Sequence, residues 1–386
     1  MESKPVTSGK TTSPRRDTGR LDRIARAILY EGYMLWPYRR SALKNRRRWT
    51  IGGVYPLGFD GSESSGDARE MQAECLLECD ATPRFEIRLR FLHRVFRQVA
   101  AWTGEGLEEV DELEVADQRY LTWDEAVERE IALQVVQGET EDVHAVTMPA
   151  VLPIEVPAGR EEEWLHNHDG GRVGALVRSW DGLQGILSAG AERLGDRLYR
   201  VRVRLENTTP ATGLDREGAL GRTFIAAHLV LRAEGGEFVS LQAPPDGLAA
   251  AAAKCCNLGC WPVLVGEQGE RDTMLAAPII LSDYPEVAPE SPGDLFDGTE
   301  IDHLLTLSIL GLTDEEKAEM RASDPRAREI LERTEGLSPE ELLRMFGAVR
   351  EYRVVEETGC GGMGIAEGFG RWDSGVGGQG PGICVR

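Results

Sequence analysis

Apolar and polar residues follow different periods in different stretches of this chain. Leu21, Ile24, Ala25, Ile28 and Leu35 recur at three- and four-residue spacing, which predicts a helix that Pro37 ends. From about residue 70 the period becomes two. Phe85, Ile87, Leu89 and Phe91 alternate with Glu86, Arg88 and Arg90, and Tyr199, Val201, Val203 and Leu205 alternate with Arg200, Arg202 and Arg204. Both runs predict strands with one buried face. Residues 224–232 and 237–241, joined through Ala233–Glu234–Gly235–Gly236, have the signature of a hairpin. Residues 261–265 and 277–281 predict two more strands around a polar turn at 267–271, and residues 50–56 a strand running into a turn. Short helices are expected at 123–136 and 183–194.

After residue 290 the period is helical again. Ile301, Leu304, Leu305 and Ile309 form one stripe, and Leu342, Leu343, Phe346 and Val349 another. Thr299 with Asp302, Thr313 with Glu316 and Ser338 with Glu341 have capping-box spacing. Asp324–Pro325 and Ser338–Pro339 each set a capping side chain before a proline at the first helical position. Strands without regularly alternating helices favour antiparallel pairing. The expected fold class is therefore α+β: an antiparallel, β-rich, sandwich-like core with an N-terminal helix and a small C-terminal helical unit. The expected organisation is a disordered tail at 1–20, a basic helix and loop at 21–60, the β-rich core at 61–290, the helical unit at 291–350 and a glycine-rich tail at 351–386. Eleven glycines between Gly359 and Arg386 leave little apolar surface to bury, so that stretch reads as a flexible tail or as an aberrant, frame-shifted terminus.

Composition narrows the function classes. The chain has 386 residues and a formal net charge of −21, which disfavours general nucleic-acid binding because phosphate contacts need a basic footprint. No apolar run approaches the roughly 20 residues that span a bilayer, and no secretory h-region follows the N-terminal charges. A cytoplasmic protein with no membrane insertion is expected. The charge is polarised: residues 1–50 hold thirteen Lys/Arg against four Asp/Glu, leaving −30 on the remainder. Arg39, Arg40, Lys44, Arg46, Arg47 and Arg48 crowd one short stretch, interleaved with Tyr30, Tyr33, Trp36, Tyr38, Trp49 and Tyr55. Tyr, Trp and Arg are enriched at interface hot spots. Tyr33, Trp36, Tyr38, Arg39, Arg40, Lys44, Arg46, Arg47 and Arg48 are thus the candidate partner-binding residues. The competing expectation is that they pack the first helix onto the sheet through cation–π contacts and pair with the acidic body.

Candidate chemistry is sparse. His166 and His168, two apart with Asp169 beside them, can in principle bind zinc, but Gly170 and Gly171 stand where further ligands would complete a metallo-hydrolase pattern. Glu161–Glu162–Glu163 before them and the glycines after them equally describe a solvated turn. Cys75 with Cys79 and Cys256 with Cys260, among seven cysteines, offer four thiolates on paper, or simply buried hydrophobes. His93 and His228 lie within apolar strands, where a core histidine is commoner than a catalyst. Gly359–Cys360–Gly361–Gly362–Met363–Gly364 matches a dinucleotide-binding glycine pattern, but without the second strand and acidic residue that such a site needs. The residues imply no cofactor and no catalytic set.

Several stretches resemble a family of uncharacterised proteins encoded beside NiFe-hydrogenase genes in soil bacteria, especially actinobacteria. They are Ile28 to Tyr33 and Trp36 to Arg46, Trp261 to Gly266, Pro278 to Leu281 with Tyr284–Pro285, and Pro289 to Asp302. The similarity runs over about residues 20–350. Members of that family continue into a small basic β-rich domain where this chain enters its glycine-rich stretch. The resemblance implies a role in making or supporting an uptake hydrogenase, with a hydrogenase subunit or a maturation protein as partner. It brings no catalytic residues with it.

Overall fold

The computed structural model describes residues 18–33, 35, 37–39, 41–42, 45, 51–59, 68–80, 82–136, 150–286, 293, 295 and 302–345. Helix α1 (Thr18–Tyr30) comes first, followed by β1 (Glu70–Cys79), β2 (Arg84–Trp102), β3 (Leu107–Val110), β4 (Glu112–Val115), β5 (Gln118–Leu121) and β6 (Trp123–Val136). Then come β7 (Ala150–Val156), β8 (Gly159–His166), β9 (Arg172–Trp180), β10 (Leu183–Arg193), β11 (Leu198–Asn207) and α2 (Arg216–Leu220). β12 (Ile225–Ala233), β13 (Gly236–Val239), α3 (Ala249–Ala252), β14 (Trp261–Leu264) and β15 (Thr273–Ala277) complete the sheets. Four helices follow: α4 (Asp302–Leu310), α5 (Asp314–Ser323), α6 (Pro325–Glu335) and α7 (Pro339–Met345).

The architecture is α+β; among the described residues two large antiparallel sheets stand beside a two-stranded ribbon, β4-β5. One has the order β13-β1-β11-β10-β7; the other runs β14-β15-β12-β2-β9-β8, with β3 and β6 also paired to β2. β2 is the hub. One of its edges takes β12 along 85–92 and then β9 along 96–101. Its opposite edge takes β6 along 84–97 and then β3 along 99–102. The sheets face each other across the main core, where Cys75, Leu77, Val201 and Val203 of one meet Phe85, Ile87, Leu89 and Leu229 of the other. Phe85, Ile87, Leu89, Val201 and Val203 are apolar members of the period-two runs, so the alternation in β2 and β11 translates directly into the inner face.

Helices α1, α4, α5 and α6 form a third layer on the outer face of the larger sheet, whereas the short α3 packs on β1 and β13 of the smaller one. Ile24 and Ile28 of α1 pack on Val230, Val263 and Leu275. Leu29, Tyr30 and Tyr33 join Leu92 and Ile225 with Ile309, Met320, Ile330 and Leu331 of the C-terminal helices. Each fully buried aliphatic side chain of this kind contributes about 1.5–3 kcal/mol. The caps at α5 and α6 form as expected. Thr313 and Glu316 make the reciprocal capping box, and Asp324 accepts from the Arg326 N–H with Pro325 at the first helical position.

Five expectations are corrected. Residues 123–136 and 183–194 are not helices but the long strands β6 and β10. β10 buries Leu183, Gly185, Leu187, Ala189 and Ala191 on alternate positions, and sheet pairing on both of its edges overrides the helical look of its Ala and Glu residues. The 224–241 segment is no hairpin: β12 belongs to the eight-stranded sheet and β13 to the five-stranded one, so the turn at 233–236 carries the chain from one layer to the other. The strand expected at 277–281 lies earlier, at 273–277, because Pro278 ends it. Within 50–56 only Val54 pairs, in isolated bridges to Phe224 and Ala68, and Thr50 lies outside the described residues.

Candidate interaction surface

The segment after α1 was the main functional expectation, and most of its described side chains are spent internally. Gly32, at φ +76°, lets the chain leave the helix in the left-handed conformation. Tyr33 is then 0% exposed, and its hydroxyl donates to Asp324 Oδ2 at 2.6 Å. Tyr38, also 0% exposed, donates to the Leu295 carbonyl at 2.6 Å. Tyr30 donates to Glu128 Oε1 at 2.7 Å, and the Arg326 guanidinium sits 3.8 Å above its ring. Burial, helped by Glu128, pushes the Tyr30 hydroxyl well above its ordinary range. Buried Asn45 closes the loop by bonding the Leu35 N–H and the Leu35 and Arg39 carbonyls. Arg39 pairs with Glu316 at 2.9 Å, and the Ser41 N–H donates to Glu319.

Tyr33 and Tyr38 therefore cannot present themselves to another molecule in this fold. Each buries a large ring whose single polar atom finds a partner inside, which is the arrangement that makes a buried tyrosine stabilising. Arg39 is half-buried in its ion pair. Packing accounts for these tyrosines, but toward the C-terminal helices: the guanidinium over Tyr30 and Tyr33 is Arg326 of α6, outside the basic stretch. Trp36, Arg40, Lys44, Arg46, Arg47 and Arg48 lie outside the described residues.

The periodicity argument missed the node that joins sheet to helices. Arg97 of β2 is buried. It pairs with Glu125 at 2.7 Å and donates to the Leu121 carbonyl and, across the interface, to the Ser323 carbonyl at the end of α5. Arg178 holds the other Glu125 oxygen at 2.8 Å and reaches Glu163. The available signal was the position: Arg97 has the same parity as buried Val95 and Val99, so a charge there implied internal partners.

Next to this node a cleft of ≈ 590 Å³ opens, lined by Ser41 and Asn45, by Phe96 and Trp123, and by charged side chains. Arg94 there pairs with Asp124 at 2.8 Å and with Glu217 at 3.5 Å, and Arg119 pairs with Glu112. Glu319 adds a fourth carboxylate to two guanidiniums, and Phe96 remains 41% exposed. Such a lining suits a polar or cationic side chain of a macromolecule better than an apolar small molecule.

The metal readings find little support in the geometry. His166, His168 and Asp169 are exposed at the β8–β9 connection, where Asn167 and Gly171 exchange hydrogen bonds across the turn. His168 Nε2 stands 3.6 Å from Asp117 Oδ2. Cys75 and Cys79 lie on one extended strand, about 13 Å apart at the usual rise per residue, too far to share an ion. Burial pushes Cys255 up to about 11, Cys260 up to about 12 and Cys75 well above its usual value, as for cysteines that pack as small buried hydrophobes. Among the described residues, no group of three or more His, Cys, Asp or Glu is arranged to hold a metal ion.

His93 and His228 are both 0% exposed. His228 Nδ1 lies 3.1 Å from the Ala226 carbonyl, which can only accept, so the proton sits on Nδ1 and Nε2 is a bare acceptor without a partner. Neither ring nitrogen of His93 has a hydrogen bond of normal geometry, although the backbone of Asp181 and Gly221 lies close. No protein-family model matches the chain, and no curated protein matches it. No helix among the described residues is long and apolar enough to cross a membrane.

Proposed function

We propose that this protein is a cytoplasmic, non-enzymatic accessory or assembly factor of an uptake NiFe hydrogenase, acting by binding a hydrogenase subunit or a maturation protein. The sequence resemblance over residues 20–350 supplies the hydrogenase context. The observation that supports a binding role is the anchoring of the N-terminal segment. Asn45, 5% exposed and held by three hydrogen bonds, stands at the cleft rim immediately before Arg46–Arg47–Arg48. In sequence the basic run follows directly on this anchored residue, in a chain whose other residues are net acidic, and such charge polarity steers encounter with a charged partner.

The test is a pull-down of hydrogenase components from the native host. Charge reversal at Arg46, Arg47 and Arg48 is expected to reduce recovery at least tenfold while the circular-dichroism melting curve stays unchanged, as for about 1.4 kcal/mol or more of lost binding energy. Unchanged recovery would count against the reading. The alternative, a metal-binding protein or metal-dependent hydrolase built on His166 and His168, has a separate check. One equivalent of zinc or nickel in gently purified protein, lost in a His166→Ala, His168→Ala double variant, would favour it.

A further inference from the structure

β6 is a long strand with one edge unused. It pairs with β2 at fourteen consecutive positions without a register shift, and among the described residues no strand pairs with its other edge. The other outer strands are protected. β3, β13 and β14 have four residues each, and β14 contains Pro262. β7 carries Pro153, and β8 carries Arg160 to Glu163 and a register irregularity. β6 has no proline and no bulge, and its charged residues, the other device by which proteins blunt an edge, all lie at 124–130, so that residues 131–136 carry none. Half-buried Ile131 and Leu133 pack on the main core from this edge, and Val127 is 42% exposed.

The sequence of β6 restricts what fits there. A two-fold axis perpendicular to the sheet would align the same face of two copies, so paired residues share parity. Centring the pair on Arg129 opposes Arg129 to itself and Glu128 to Glu130; centring it on Glu128 or Glu130 opposes identical carboxylates. Centring it on Ile131 removes every such conflict. Ile131 then meets its own copy, Val127 meets Val135, Arg129 meets Leu133, Glu130 meets Ala132 and Glu128 meets Gln134. Among registers without opposed like charges, this one pairs the longest stretch, residues 126–136 of both copies.

We propose that β6 is a homodimerisation edge: two copies pair antiparallel through β6, centred on Ile131, and merge their larger sheets into one. The assembly stands apart from the hydrogenase reading and does not depend on it. Because each chain carries −21, salt strengthens the dimer by screening the repulsion between the bodies.

Exposed Ala132 supplies the test, because it faces different charges within and between chains. In the dimer it lies opposite Glu130 of the other copy; within the chain it lies opposite Arg88 of β2. Ala132→Lys should tighten the dimer about fivefold and Ala132→Glu weaken it about fivefold in sedimentation equilibrium of the full chain, two cross-strand pairs changing per dimer. Monomer stability should move the other way, slightly lower for Lys and slightly higher for Glu, so a purely structural effect cannot imitate the result. A protein that stays monomeric at its highest soluble concentration overturns the proposal. So does a dimer indifferent to position 132, which would use another face. A monomer whose β6 amides resist hydrogen exchange along the outer edge overturns it as well, with the chain's own 137–149 segment as occupant.

Discussion

Arg97→Ala should lower the free energy of unfolding by about 3–5 kcal/mol, the range for breaking a buried ion pair from one side. The substitution leaves Glu125 with Arg178 alone and strips the Leu121 and Ser323 carbonyls of their donor. Because Ser323 ends α5, the loss falls on the seam between sheet and helices. Arg97→Lys should recover only part of it, since a single ammonium cannot reach carboxylate and two carbonyls in the planar fork that a guanidinium provides. Urea unfolding of the three proteins measures both. A loss below about 1 kcal/mol for the alanine variant would mean that the network is dispensable.

Acidification from pH 7 to pH 5 should cost about 4 kcal/mol of stability through His93 and His228, roughly 2 kcal/mol each. Burial lowers both from 6.5 to about 4. Arg129 adds to the effect at His93, while backbone groups and Asp181 oppose it; at His228 the Ala226 carbonyl opposes it, Arg90 adds and Glu128 opposes. The folded state thus holds both rings neutral. Between pH 6.5 and 4 the unfolded chain binds more protons, so stability rises with pH, is fully present above 6.5 and drains away as pH falls. Glu316 and Glu335 are held below 4.5, Glu316 chiefly by the Thr313 backbone and Glu335 chiefly by Lys317. Their contributions fade only below that value, so the pH 5–7 window isolates the histidines. His228→Asn, which keeps a donor for Ala226, should remove about half of the pH dependence, and addition of His93→Leu most of the rest. Parallel stability curves for the three proteins would refute the assignment.

The strands most legible in sequence are those whose pattern and environment agree. β2 and β11 alternate because each has one face on the inter-sheet core, and Thr313, Asp324 and Ser338 announce helix starts because capping is local chemistry. β6 and β10 were misread for the opposite reason: Ala and Glu favour a helix locally, and only their neighbours, β2 for one and β7 with β11 for the other, make them strands. The turn at 233–236 has hairpin composition, but composition does not say whether the next strand returns to the same sheet. The candidate site divides likewise. Interleaved tyrosine and arginine were visible between Tyr30 and Arg48, yet whether a tyrosine faces solvent depends on residues some 260 to 290 positions away, Leu295 for Tyr38 and Asp324 for Tyr33.

By itself, then, the amino-acid order of this protein determined an antiparallel β-rich body, helices at both flanks, charge polarity and the helix caps, all of them set by contacts within a few residues or by summed composition. The tertiary structure alone decided that Tyr33 and Tyr38 lock the N-terminal segment to the helices, that Arg97 ties α5 to the sheet, that the two histidines are sealed from water and that no strand among the described residues pairs with the outer edge of β6. Each of these depends on which distant segments come to lie side by side, and neither periodicity nor propensity contains that information.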